Sequence, residues 1–191
     1  MIYFFSMNYY VVQVSTGKEN LFVESGEKNE AEFEREYSII FPQRVLKIKK
    51  SGKFTEKKAA VFPGYVFIRS EEITPDTYHS VRKLKGFYRF LPNNQEPLPL
   101  KGKDLDILKH FISFGCVANI SVAVFDENDR IQILDGPLKG LEGQIIKVDR
   151  RKGRAKVKLD MYQNSFAIDF GFTQLSQMGK KREDVNDKSS D

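Results

Sequence analysis

The sequence predicts an α+β protein in two units, a mixed α/β sandwich followed by a small all-β barrel. Three observations predict it. In the first part, apolar stripes at helical spacing, Tyr78/Val81/Leu84 and Leu105/Leu108/Phe111/Ile112, alternate with β-branched and aromatic runs. From Arg130 onward helical spacing gives way to short alternating segments punctuated by Asp135-Gly136-Pro137, Gly140, Gly143, Lys152-Gly153 and Gly171. Between the two, the polar run Asp126-Glu127-Asn128-Asp129 reads as a join.

Taken in order, Asn8 to Val14 is a strand rich in β-branched and aromatic residues, closed by Ser15-Thr16-Gly17. The charged stretch 18–36 carries Leu21, Phe22 and Phe33 and is interrupted by Ser25-Gly26, which predicts a short helix followed by irregular chain. A strand over 38–48, a turn at Ser51-Gly52 and a strand over 60–68 predict a hairpin. Helices are expected over 74–84 and 103–114, with strand 86–91 between them. The domain reading is therefore a first unit over 7–115, a linker over 116–128, a barrel over 129–177 and a disordered polar tail over 178–191.

At 191 residues and 40% apolar content the chain can build two small cores. Its net charge of +5 favours a polyanionic partner, because basic groups gain affinity by displacing counterions from phosphates. One cysteine, Cys116, makes no internal disulfide and fits a reducing, cytoplasmic setting. The opening segment 1–6 is apolar but has no basic n-region and no small-residue cleavage site. No run approaches the roughly 18 apolar residues of a membrane helix, so no membrane partner is expected.

The segment Asp135-Gly136-Pro137-Leu138-Lys139-Gly140-Leu141-Glu142-Gly143 lies between the alternations Ile131/Ile133 and Ile146/Val148. Its glycines and proline bend the chain between pairing strands. In that setting it resembles the KOW motif of NusG-type factors and of some ribosomal proteins. The likeness continues through Gln144-Ile145-Ile146-Lys147-Val148-Asp149 to Leu159-Asp160-Met161-Tyr162 and Ala167-Ile168-Asp169-Phe170. Upstream, Tyr9-Tyr10-Val11-Val12-Gln13-Val14, Phe62-Pro63-Gly64-Tyr65-Val66-Phe67-Ile68, Val81-Arg82 and Gly86-Phe87 resemble the NusG N-terminal domain.

The resemblance implies docking on the clamp helices of bacterial RNA polymerase, at positions Tyr10, Phe62 and Tyr65. It places Thr74 and Thr77 near the opposite lobe of the cleft, with upstream DNA within reach of the first unit. Phe41-Pro42-Gln43-Arg44 through Tyr65, with the Gly136 to Gly140 turn, look closest to the LoaP-type paralogues, which prevent premature termination on particular operons. In general NusG factors an aromatic followed by Gly-Arg contacts Rho or the ribosome. Here the loop reads Met161-Tyr162-Gln163-Asn164, which leaves Met161 and Tyr162 as the contact candidates and weakens that coupling.

Charge placement carries the RNA reading. Arg150, Arg151 and Lys152 crowd one turn, and Arg154, Lys156 and Lys158 then alternate with Ala155, Val157 and Leu159 along a strand. No acidic residue interrupts 150–158, so with Lys139 this face predicts binding to the phosphates of a nascent RNA hairpin. A second basic cluster begins at Arg44 and ends at Lys58. The leading reading is an antitermination factor holding polymerase with one unit and RNA with the other. The competing readings are a general factor coupling polymerase to Rho or the ribosome, and a ribosome-associated KOW protein.

Catalysis is not predicted. His79 and His110 stand on separate helices without ligand partners at metal spacing, Cys116 has no activating base marked, and neither a P-loop nor a dinucleotide glycine pattern occurs. Neither a cofactor nor a metal is expected.

Overall fold

The computed structural model describes residues 7–30, 36–50 and 53–175. Strand β1 (Asn8–Val14) divides its side chains by strict alternation. Tyr9 and Val11 pack to one face of the sheet, Tyr10, Val12 and Val14 to the other. Helix α1 (Glu19–Glu30) follows, then β2 (Tyr37–Ile40), the paired strands β3 (Gln43–Lys50) and β4 (Lys53–Ala60), and β5 (Tyr65–Ser70). Helix α2 (Pro75–Arg82), β6 (Phe87–Phe90) and α3 (Gly102–Ile112) complete the first unit.

The main sheet has the order β2-β5-β1-β6 and is antiparallel throughout. Phe22 of α1 and Val81 of α2 cover the face carrying Tyr10, Val12, Val66 and Ile68. The other face, carrying Val11, Tyr65 and Phe67, packs on Leu108 and Phe111 of α3.

The second unit comprises β8 (Ser121–Phe125), β9 (Ile131–Asp135), β10 (Ile145–Asp149), β11 (Arg154–Met161) and β12 (Asn164–Gln174), ordered β10-β11-β12-β8-β9. A single buried cluster joins its interior, including Ile133, Leu138, Val157 and Phe170, to Phe62, Phe67, Leu108 and Phe111 of the first unit.

Three expectations need revision. The hairpin partner of β3 is β4 rather than a strand over 60–68; Thr55 to Lys58 of β4 are exposed while Val45 and Leu46 of β3, opposite Lys58 and Lys57, are buried. Helix α1 runs through Ser25-Gly26, where Ser25 Oγ donates back to the Phe22 carbonyl (2.8 Å) and accepts from Lys85 N–H (3.0 Å). The segment 116–128 is not a bare linker: β7 (Val117–Ala118) adds to β3 and β8 enters the second sheet. Its polar run is a turn, in which Asp126 Oδ1 accepts from Asn128 N–H (2.8 Å) and Arg130 N–H (2.9 Å). The tail expected over 178–191 lies outside the described residues.

Candidate functional site

The turn that carries Phe62 and Tyr65 is clamped from behind. Gly64 N–H donates to Glu19 Oε1 at 2.7 Å, and the Gly64 carbonyl accepts from Val14 N–H at 2.8 Å. Held this way, Phe62 makes edge contacts with Phe67 (5.7 Å between centroids) and Phe111 (5.9 Å).

The second unit lies over this pair. Phe166 of β12 meets Phe62 at 6.2 Å and Tyr65 at 5.6 Å, and Asn164 Nδ2 donates to Tyr65 Oη at 2.6 Å. Burial raises the Tyr65 phenol, with the Asn164 hydrogen bond and Arg89 pulling the other way. Phe62 and Tyr65 are consequently 1% and 5% exposed.

Tyr10 does not join them. It projects from the opposite, helix-covered face of the sheet, where its hydroxyl donates to the Glu71 carbonyl at 3.4 Å. Thr74 caps α2, its Oγ1 accepting from Thr77 N–H at 3.1 Å, and Thr77 is buried. Met161 is fully buried, while Tyr162 is half-buried in the two-residue turn between β11 and β12. Tyr162 and Gln163 take φ of 51° and 65°, the left-handed pair of a tight type I′ hairpin. The Tyr162 N–H donates to Asp104 Oδ2 of α3 at 3.2 Å, and burial together with Asp104 raises its phenol.

Polar bonds line the rest of the seam between units. Arg44 of β3 is buried; its Nε donates to the Asp169 carbonyl at 2.5 Å, its Nη1 to the Ala60 carbonyl, and its guanidinium stands over the Phe170 ring. Burial lowers its pKa to about 10; Asp169 opposes that shift and Arg154 adds to it. His110 Nε2 donates to the Pro137 carbonyl at 2.8 Å, and Phe111 stacks on Phe170 at 5.3 Å. Gly171 permits this approach, since a Cβ there would stand 3.2 Å from the Val45 carbonyl oxygen and from Ile120 Cγ1.

The cationic face takes shape on β11, where Ala155, Val157 and Leu159 are buried, Lys158 on the other face is exposed, and Arg154 and Lys156 there are half-buried. Arg150, Arg151 and Lys152 are exposed in the turn before it, and Lys139 is exposed in the Gly136-to-Gly140 loop. That loop is fixed at Gly136, whose φ is 96° and whose Cβ would fall 2.7 Å from Ser121 Cα. Folding brings Asp129 and Asp169 to these cations, beside the locally adjacent Asp149. Arg150 pairs with Asp129 (3.0 Å) and covers the Phe125 ring, Lys152 pairs with Asp149 (3.8 Å), and Lys156 with Asp169 (3.7 Å).

Sequence reading missed Arg44, Phe111, Phe166 and Phe170 as seam residues. The extended alternation Phe166/Ile168/Phe170/Phe172 was the available signal, being more apolar than one small barrel face needs.

An α+β unit with a covered aromatic face, joined to a β-rich unit with a cationic strand, is the architecture of a two-unit binding protein. Residues 7–109 match the family described as transcription termination factor nusG, and residues 127–159 match the KOW motif. The chain belongs to the NusG family of transcription termination and antitermination factors. It is 27% identical over 178 residues to the transcription termination/antitermination protein NusG of Bacillus subtilis, covering 90% of this chain and 98% of that one. For the NusG protein of Thermus thermophilus the figures are 22% over 183 residues, 89% and 98%. The solved structure "Domain interaction in Thermotoga maritima NusG" shares the fold, with a TM-score of 0.57, 20% identity, and coverage of 87% of this chain and 94% of its own. No helix among the described residues is long and apolar enough to cross a membrane.

Proposed function

We propose that the chain is a specialised antitermination and elongation factor that docks on bacterial RNA polymerase through Phe62 and Tyr65 and holds nascent RNA on the β11 face. The observation that carries this reading is the bond from Asn164 to Tyr65. Asn164 stands where the sequence departs from general NusG factors, and here that departure fastens the second unit over the aromatic pair. Docking then requires the second unit to swing away. A factor covered in this way engages polymerase when something else recruits it, and an RNA element read by Lys139, Arg150, Arg151, Lys152, Arg154, Lys156 and Lys158 supplies that event. Linking the two contacts on one chain raises the effective concentration of each for the other.

Tyr10 supports the docking face from beneath, and Thr74 and Thr77 set the start of α2. General coupling to Rho or the ribosome through Met161 and Tyr162 is the weaker reading, since Met161 is buried and the Tyr162 amide is held by Asp104.

The test is transcription through an intrinsic terminator with purified polymerase, with and without the chain and the leader RNA of its own operon. Read-through rises only when the leader is present, and Phe62→Ala abolishes it. Arg151→Glu combined with Lys158→Glu, both exposed positions, weakens leader binding and flattens its salt dependence. Equal read-through with and without the leader returns the chain to a general role.

A further inference from the structure

Where α3 meets the β-rich unit, a cleft of about 640 Å³ opens, walled by Lys103, Asp106 and Ile107 on one side and by Leu141, Ile146 and Asp160 on the other. Small-ligand sites run to about 300–1,000 Å³ and favour such joins between units. Part of the lining is aliphatic, with Leu141 buried and Ile107 half-buried. Ile146 is 57% exposed and stands where the β10–β11 register shifts, at a bulge that re-aims its side chain. His110, also on the α3 wall, ties the two walls together through the Pro137 carbonyl at 2.8 Å.

The cleft carries charges of both signs on solvent-accessible side chains. Lys103 and Asp106 stand one turn apart on α3, yet neither makes an ion pair or a side-chain hydrogen bond among the described residues. Asp160 of β11 accepts from the Ser165 hydroxyl through Oδ1, which leaves Oδ2 to a ligand. A polyanion is repelled by the two carboxylates and a simple cation by Lys103. The lining suits a molecule that is neutral overall and joins a carboxylate and an ammonium to an aliphatic body.

We propose that the cleft binds an aliphatic zwitterion, a free amino acid or a short peptide, with its carboxylate on Lys103, its ammonium on Asp160 and its side chain among Ile107, Leu141 and Ile146. The two charged anchors belong to different units, so the ligand is held in full only while the units are docked, and it strengthens that docking. It is an effector that keeps the Phe62–Tyr65 pair covered, and it acts against the opening that RNA binding accompanies. Lys158, which also lines the cleft and which the RNA reading uses, is not one of its anchors. The consequence for polymerase rests on the function proposed above; binding and closure do not.

In the full chain, the Ile146 δ1 methyl resonance reports occupancy of the cleft, and exchange of the Tyr162 amide, whose N–H donates across the seam to Asp104, reports closure. The chain is titrated with L-leucine and, separately, with leucyl-leucine. Isocaproate, which lacks the ammonium, and isoamylamine, which lacks the carboxylate, are the controls. A ligand of the docked form at about twice its Kd shifts the methyl resonance and slows Tyr162 exchange about threefold. Slowing by leucine shows that one amino acid suffices, and slowing by leucyl-leucine alone assigns the cleft to a peptide. Lys103→Gln, at an exposed position, abolishes both effects, whereas Lys103→Arg retains them. Three results overturn the proposal: no slowing by either zwitterion, equal slowing by either control, or slowing that survives Lys103→Gln. Neither readout involves polymerase or RNA, so such a failure is distinct from a failure of the proposed function.

Discussion

Asp149 shows how one side chain organises the basic turn. Its carboxylate accepts the Lys152 amide, and that hydrogen bond, ahead of the neighbouring Lys152, Arg151 and Lys147 charges, holds its pKa below the ordinary 3.8. A depressed carboxylate contributes its stabilisation fully above its unfolded value and loses it as pH falls through the folded one. The Lys152 amide resonance is therefore expected to titrate with a midpoint below 3.8, and Asp149→Asn to remove that titration, both read by NMR from neutral pH downward. Arg44 works differently. Its planar fork reaches two carbonyls from different units, a geometry that a lysine ammonium does not reproduce.

At the scale of elements, the contact between β12 and β3 decides how closely the units meet. Gly171 leaves no side chain between the strands, and any Cβ there presses on the Val45 carbonyl and Ile120. Overpacking of this kind costs about 1–3 kcal/mol. Gly171→Val is expected to lower the midpoint of thermal unfolding and to speed exchange of the Tyr162 amide, without disturbing the β10–β11 ladder on the far side of the sheet. Elements whose cause is local were legible in the sequence: β1 by its β-branched run, α2 by the Tyr78/Val81/Leu84 spacing, β11 by alternation. The β3–β4 hairpin was misplaced because half of the β4 residues are charged and the strand owes its pairing to β3. The reading of α1 as broken failed for a related reason, since Lys85, distant in sequence, meets Ser25 at the expected break.

For the whole molecule, one buried cluster crossing both units makes their relative placement a matter of packing, while the second unit retains its own sheet and interior. Phe166→Ala removes two edge-to-face contacts, each worth about 0.5–1.5 kcal/mol. The sum, about 1–3 kcal/mol, shifts the balance between covered and open forms about 5–150-fold. Apparent affinity for polymerase, measured by fluorescence anisotropy of labelled chain, is expected to rise by up to that factor and to fall again when Phe62→Ala is added. An affinity that Phe166→Ala leaves unchanged would falsify the claim that covering this pair governs docking.

By itself the sequence determined the two-unit α+β architecture, the Gly136 loop, the alternating cations of β11 and the family resemblance. Each is written in residue type and spacing over a short window, where periodicity and turn chemistry act. Only the tertiary structure decided which aromatics share a face. Tyr10 parts from Phe62 and Tyr65 by strand alternation and sheet pairing, and Phe166 arrives from another unit. It also placed Asp129 and Asp169 against cations that look unopposed along the chain. The contacts that close the molecule, Arg44 to Asp169 and Asn164 to Tyr65, join residues 125 and 99 positions apart. No local rule relates such residues, and packing of the shared core brings them together.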